Sequence, residues 1–183
     1  MANGVIVESR IQATNIDALN RTAKTASTDV AGGGLVALAY SEEQGNEVWT
    51  ATTPSSTLDG LWIAYNPAEH LTKVGDKLFA GLSDDPRDYT NIGGRPFDVF
   101  KPVIGDEIDI TEDCVDSSVS SAVAGDILES KASQTTFARI AAGSGATANH
   151  TAFKIEYVGT KPFPKAGIGM EQVKTFRCVC IQE

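Results

Sequence analysis

The sequence lacks any excess of positive charge. Among 183 residues, 15 Lys and Arg face 24 Asp and Glu, for a net charge of −9. Binding to a phosphate backbone needs a basic face, so neither DNA nor RNA is expected as a direct partner. An anionic membrane surface is disfavoured for the same reason. No run of about 18 apolar residues is present, so no membrane-spanning helix is expected. The N-terminal stretch MANGVIVESR has no basic segment leading into an apolar core, so no secretory signal is expected. Cysteine is scarce: Cys114, Cys178 and Cys180 do not make a disulfide framework. None is needed, because a chain of this length can bury roughly 70% of its unfolded surface within one domain.

Histidine is scarcer still. His70 and His150 stand in neither an HxxxH nor an HxH arrangement, so no zinc site is expected and both read as surface residues. Ser144, in Gly143-Ser144-Gly145, lacks the GxSxG spacing of a nucleophile elbow. Gly32-Gly33-Gly34 has no following Lys-Ser/Thr and fits a hinge or close backbone packing better than a phosphate loop. Asp84-Asp85 stands beside Pro86, where Asp is common in turns. Cys178 and Cys180 are spaced to share one strand face and read as core hydrophobes. No catalytic residue, cofactor or metal is assigned, and the chain is not expected to be an enzyme.

What is abundant favours strands. Val, Ile and Thr number 44, against 11 Leu and Met, and Gly and Pro add 24 turn-forming residues. β-Branched side chains suit a pleated surface, whereas Leu and Met suit helices. Continuous apolar runs at LVALAY (35–40) and LWIAY (61–65) read as buried strands. VWTAT (48–52) follows a turn at Gly45-Asn46. FDVF (97–100) and EIDITED (107–113) alternate, with Ile108 and Ile110 on one face. In TAFKIEYV (151–158), alternation places Phe153, Ile155 and Tyr157 toward the core. GTKPFPKAGIG (159–169) reads as a loop, and VKTFRCVCIQ (173–182) turns Phe176, Cys178 and Cys180 inward. Trp49 and Trp62 read as core anchors; a sugar-stacking platform would need them exposed on one face. The fold class is all-β, a barrel or sandwich of about nine to eleven short antiparallel strands with long loops. A subdivision near 66–72 is admitted.

Residues 4–8 (GVIVE) read as a short strand, and 9–34 are rich in Thr, Ala, Asn and Asp, with one amphipathic turn at 16–20, and end in the triple glycine. A structureless stretch of that length is unusual inside a compact domain. The segment 1–34 reads as an extended arm that orders on a partner, preceding a globular body at 35–183. Its apolar members Val5, Ile6, Val7, Ile11, Ile16 and Leu19 are the candidate contacts.

Charge is unevenly spread. Residues 74–130 hold 13 acidic and 4 basic side chains, whereas 131–183 hold 3 and 7. The densest acidic run, 104–116, contains Asp106, Asp109, Glu112 and Asp113, which are further candidate partner contacts. Gly105 precedes that run rather than sitting within it, which does not match a calcium loop. A Gly-Asp pair follows an apolar residue and opens a strand three times, at Gly75-Asp76, Gly105-Asp106 and Gly125-Asp126. This reads as one turn device used repeatedly.

An acidic β-rich chain with an Ala/Thr-rich arm and Gly-Asp-initiated strands, as in KVGDKLFAGL (73–82) and FKPVIGDEIDITEDC (100–114), resembles the decoration or cement proteins of tailed bacteriophages. The resemblance is one of organisation, strongest over 61–130. It implies a virion protein, made in the host cytoplasm and located on the capsid surface. Its partner would be the phage major capsid protein, and it would act as a homo-oligomer, a trimer being favoured. Alternatives are a tail-tube or head–tail joining subunit, which would present an open sheet edge, and a carbohydrate-binding β module.

Overall fold

The computed structural model describes residues 2–41, 47–74, 77–81, 83–165 and 169–183, with side chains omitted at 73 and 74. The turns expected at Gly45-Asn46 and Gly75-Asp76 lie outside the described residues. The protein is all-β, with 13 strands among the described residues and no helical turn longer than the five residues of Ser117–Ser121.

Two assemblies share one core. Strands β2 (Asn20–Lys24), β3 (Leu35–Ala39), β4 (Val48–Thr52), β5 (Trp62–Ala64) and β8 (Pro96–Phe100) close a barrel in the order β2-β4-β3-β5-β8. The β2–β4 contact is parallel and the other four are antiparallel. Strands β1 (Ile6–Arg10), β9 (Glu107–Thr111), β10 (Ile127–Glu129), β11 (Ala138–Ile140), β12 (Ala152–Pro164) and β13 (Met170–Gln182) form an antiparallel sheet ordered β1-β9-β13-β12-β10-β11. A small hairpin of β6 (Leu71–Val74) and β7 (Lys77–Ala80) stands apart from both.

The barrel explains the continuous apolar runs. A five-stranded barrel is narrow, so its lumen takes small side chains: Ala23, Val36, Ala51, Ala64, Val99, with Phe97 and Val30. The alternate residues Leu35, Ile63 and Phe100 point the other way and join one cluster with Ile6, Ile108, Ile110, Phe153, Ile155, Phe176 and Cys178 of the sheet. Both faces of these staves are therefore buried, which erases the polar half of the usual alternation. That common cluster also joins barrel and sheet into one core rather than dividing the chain near 66–72.

The expected N-terminal arm is part of the body. Residues 6–10 pair with β9, and residues 20–24 form a stave of the barrel between β4 and β8. Two 3₁₀ turns, Gln12–Asn15 and Asp17–Leu19, link them. The polar composition of 9–34 misled because a barrel stave lined by one small residue, Ala23, carries little apolar signal. Gly32 has a packing reason: a Cβ there would collide with Asn66. The Asn66 amide caps the outer edge of β1, accepting from Ile6 N–H (2.8 Å) and donating to Ile6 C=O (2.6 Å).

Two Gly-Asp turns are built alike. At Gly105 and Gly125 φ is 96° and 95°, a left-handed conformation that favours glycine. Asp106 Oδ2 accepts from Val103 N–H (2.8 Å), and Asp126 Oδ2 from Val123 N–H (3.0 Å). Each turn clasps one strand of the central hairpin. Gly105 N–H donates to Cys180 C=O while Cys180 N–H donates to Asp106 C=O; Gly125, Asp126 and Ile155 repeat the pattern.

That hairpin is longer than its sequence indicates. β12 and β13 have 13 residues each, about 43 Å at 3.3 Å per residue. The expected loop at 159–169 is strand through Pro164. Lys165 N–H donates to Gly169 C=O, so by alternation Pro162 and Pro164 stand where the backbone nitrogen faces away from β13. Their missing donors cost the ladder nothing, and they remove two donors from the outer edge of β12. A bulge between Ile155 and Tyr157 reverses the face. Phe153 and Ile155 are fully buried as expected, but Tyr157 is 65% exposed.

Deleting residues 1–24 removes an edge strand and a barrel stave, so cooperative thermal unfolding followed by circular dichroism should be lost. A retained transition would show that the segment is dispensable. Replacing Pro162 and Pro164 together by Thr restores two outward donors and should add concentration-dependent association in sedimentation velocity beyond that of the unmodified chain; identical behaviour of the two would show that the prolines do not guard this edge.

Candidate functional site

Most residues expected to meet a partner are consumed inside the fold. Val5 is 4% exposed and packs with Phe163, Val173 and Val7 on the outer side of the sheet. Ile6 and Ile11 belong to the main core, and Leu19 packs against it. Only Ile16, at 41%, is substantially exposed. The reason is the strand pairing of 6–10 and 20–24, which carries these side chains into both layers.

The acidic run is similarly engaged. Asp106 is buried by its turn, and its Oδ1 also accepts from Gln12 N–H at 3.0 Å. Asp109 is held by Arg177 (Nε–Oδ1 2.9 Å, Nη2–Oδ2 3.0 Å) and Lys161 (3.3 Å), which also reaches Glu8 (3.3 Å). Burial alone would raise the Asp109 carboxyl, but these two cations hold it below the usual carboxylate range. Glu107 pairs with Arg10. Glu112 and Asp113 are half-buried in a 3₁₀ turn, and burial holds Asp113 above its usual range against the pull of Arg87. At Asp109, the opposite charges of the middle and C-terminal segments are spent within the chain.

The nucleophile candidates are likewise structural. Cys114, Cys178 and Cys180 are buried, and burial pushes the thiols of Cys114 and Cys180 up to about 12 and raises Cys178 as well. Such thiols are inert near neutral pH. His70 is exposed and stacks on buried Tyr89 with ring centroids 4.5 Å apart. His150, expected at the surface, is half-buried: Nδ1 lies 2.7 Å from Ser130 C=O. Arg87, not flagged by any motif, locks the long hairpin to the loop before β8. Its side chain grips Asp85 (Nη2–Oδ2 2.7 Å) and Glu171 (2.9 Å) and covers the Phe163 ring at 5.2 Å.

One end of the barrel presents a different surface. Arg21, Tyr40, Trp49 and Trp62 continue the lumen-facing alternation of Ala23, Leu38, Ala51 and Ala64 and so converge at the barrel mouth. The Arg21 guanidinium carbon lies 5.6 Å from the Trp49 ring centroid and 6.0 Å from that of Trp62. Tyr40, 68% exposed, meets Trp49 edge-on at 5.5 Å. The tryptophans are thus half-buried rather than core anchors, and Arg21 occupies ring surface that a sugar would need. An open cavity of about 710 Å³ adjoins Arg21 and is also lined by Asp17, Glu47 and Asp98. The two Trp stand out in the sequence but Arg21 does not, because only barrel closure brings β2 beside β4.

No family model, no curated protein and no solved structure matches the chain. What can be stated is the class its own geometry defines: an all-β protein in which a closed five-stranded barrel packs on a six-stranded antiparallel sheet.

Asp126 tests the turn device. Its carboxylate accepts from Arg139 Nε (2.6 Å), Val123 N–H and Ala142 N–H (2.8 Å). Burial would raise its pKa, but these donors lower it. A lowered folded-state pKa gives stability that is present above the unfolded value near pH 4 and is lost as pH falls through the folded value. Asp126→Ala should cost about 3 kcal/mol in urea unfolding at pH 7, because it leaves two amides and a guanidinium without their acceptor. The deficit should shrink toward pH 2; an equal deficit at both pH values would refute the electrostatic account.

Proposed function

We propose that this chain is a virion structural protein that binds the outside of an assembled tailed-phage capsid and stabilises it by bridging capsid subunits. The observation that carries the reading is a division of labour in the surface. Asp106, Glu107 and Asp109 of the central run and all three thiols are engaged or buried within the fold, whereas large apolar side chains are exposed at its periphery. Tyr40 stands at the barrel mouth, Leu78 and Phe79 on the β6–β7 hairpin, and Tyr157 and Met170 on the long hairpin, each at least 41% exposed. Scattered projecting apolar contacts on a rigid body suit docking rather than chemistry.

The mechanism differs from an arm that orders on its partner. Residues 6–10 and 20–24 are already paired in the sheet and barrel, so docking uses preformed surfaces and pays less ordering entropy. A protein that binds only the assembled lattice stabilises it by mass action, and several copies on one lattice add avidity. A homo-oligomer, with a trimer favoured, would supply that multivalency.

The tail-tube reading asks for a free sheet edge. Among the described residues, Asn66 caps β1 at Ile6, the segment just before β11 is flanked by Asp116 N–H to Phe137 C=O (2.8 Å) and Phe137 N–H to Cys114 C=O (2.9 Å), and the free stretch of β12 carries Pro162 and Pro164. The edges of the six-stranded sheet are thus partly blocked against a ring closed by edge pairing, whereas among the described residues the β6–β7 pair keeps unpaired outer edges.

Co-sedimentation with expanded and unexpanded phage shells tests the proposal. Binding to the expanded lattice, with a raised shell melting temperature, is expected; no binding to either shell would refute it.

A further inference from the structure

The barrel mouth carries the residue types that dominate protein–protein binding energy. Trp, Tyr and Arg are the ones enriched at interface hot spots, and here Trp49, Trp62, Tyr40 and Arg21 meet in one place. Arg21 is also the exception among six arginines. Arg10, Arg87, Arg95, Arg139 and Arg177 are each ion-paired with a carboxylate. Among the described residues, no carboxylate lies within ion-pair distance of Arg21. Its Nη1 donates to the carbonyl oxygens of Asp17 (3.1 Å) and Asn20 (2.9 Å), and its guanidinium carbon lies within 6.0 Å of both indole ring centroids. The guanidinium is therefore held in place before any partner arrives, while Nε and Nη2 have no acceptor among the described residues.

We propose that the barrel mouth docks a single Asp or Glu side chain presented by an apolar protein surface. Arg21 receives the carboxylate, and Tyr40 and Trp49 cover its apolar rim. Arg matches a carboxylate with paired donors, and partial burial by the indoles strengthens the contact. Asp17, Glu47 and Asp98 border the adjoining cavity and set the selectivity. They repel a multiply charged anion, so phosphate and polyanions are rejected. A lone carboxylate offsets that repulsion with the aromatic area its rim buries. This names the contact by which the chain would grip a shell subunit, and for the identity of that partner it rests on the shell-binding reading.

The chain has two tryptophans, and both stand at this mouth, so intrinsic tryptophan fluorescence reports on the site alone. The full chain is titrated with the blocked tripeptides acetyl-Leu-Glu-Leu-amide and acetyl-Leu-Gln-Leu-amide. The Glu peptide should bind about tenfold more tightly, the ratio one charge-assisted hydrogen bond supplies. Arg21→Gln should erase that preference, and Arg21→Lys should keep part of it. Equal affinity for the two peptides, or no response to either, overturns the proposal without reference to any variant. Inorganic phosphate should leave the emission unchanged; a response equal to that of the Glu peptide would overturn the carboxylate assignment. A Glu preference in a chain that ignores shells would uphold the docking site and sink the shell reading. Shell binding without the preference would do the reverse.

Discussion

The structure depends on burying both faces of the barrel staves at once. Leu35, Ile63 and Phe100 point into the core shared with the sheet, while their neighbours Val36, Ala64 and Val99 fill the lumen. A five-stranded barrel alone encloses too little apolar volume to stabilise much, and the sheet alone would leave Ile108, Ile110, Phe153 and Phe176 uncovered. Each layer is the other's cover. Because β1 and β9 are neighbours in the sheet and the barrel strands lie between them in sequence, the barrel is inserted into the sheet rather than appended to it. Loss of one layer exposes the other, and the chain should unfold as one cooperative unit.

The central hairpin is the second organising element. Its strands are clasped from both sides by equivalent Gly-Asp turns, one around Cys180 and one around Ile155. Each turn places a buried carboxylate where it caps local amides and also ties in a distant segment, Gln12 in one case and Ala142 in the other. The recurrence visible in the sequence thus has a mechanical meaning, since a strand entering the sheet beside a long hairpin needs its first backbone groups satisfied. The same hairpin carries Lys161 and Arg177 across the acidic middle strand. The contrast in segment charge is met at Asp109 by an internal ion-pair network.

The strand chemistry was largely legible. Phe153, Ile155, Phe176, Cys178 and Cys180 face the core as alternation indicated, and LVALAY and LWIAY do form barrel staves, buried at Leu35, Val36, Ile63 and Ala64 but opening to solvent at Ala39 and Tyr40. The misreadings share one cause, a local signal overridden by a remote partner. Residues 20–24 look polar because their neighbours in the barrel supply the apolar surface. Residues 159–164 look like a loop because two prolines are tolerated only where the adjacent strand does not need their N–H. Tyr157 points outward because a single inserted residue reverses the pleat.

The sequence by itself determined that the chain would be built from strands, would carry an acidic surface and would present no recognisable catalytic motif. These follow from composition, alternation and motif spacing, which are properties of neighbouring residues. Tertiary structure alone decided that the first 24 residues contribute to the sheet, the barrel and the core, that Asp109 of the acidic run is ion-paired by Lys161 and Arg177, and that Arg21 lies beside both Trp49 and Trp62. Those outcomes depend on which strands pair. Barrel closure sets β2 beside β4 although β3 separates them in the chain, and no local pattern encodes that adjacency.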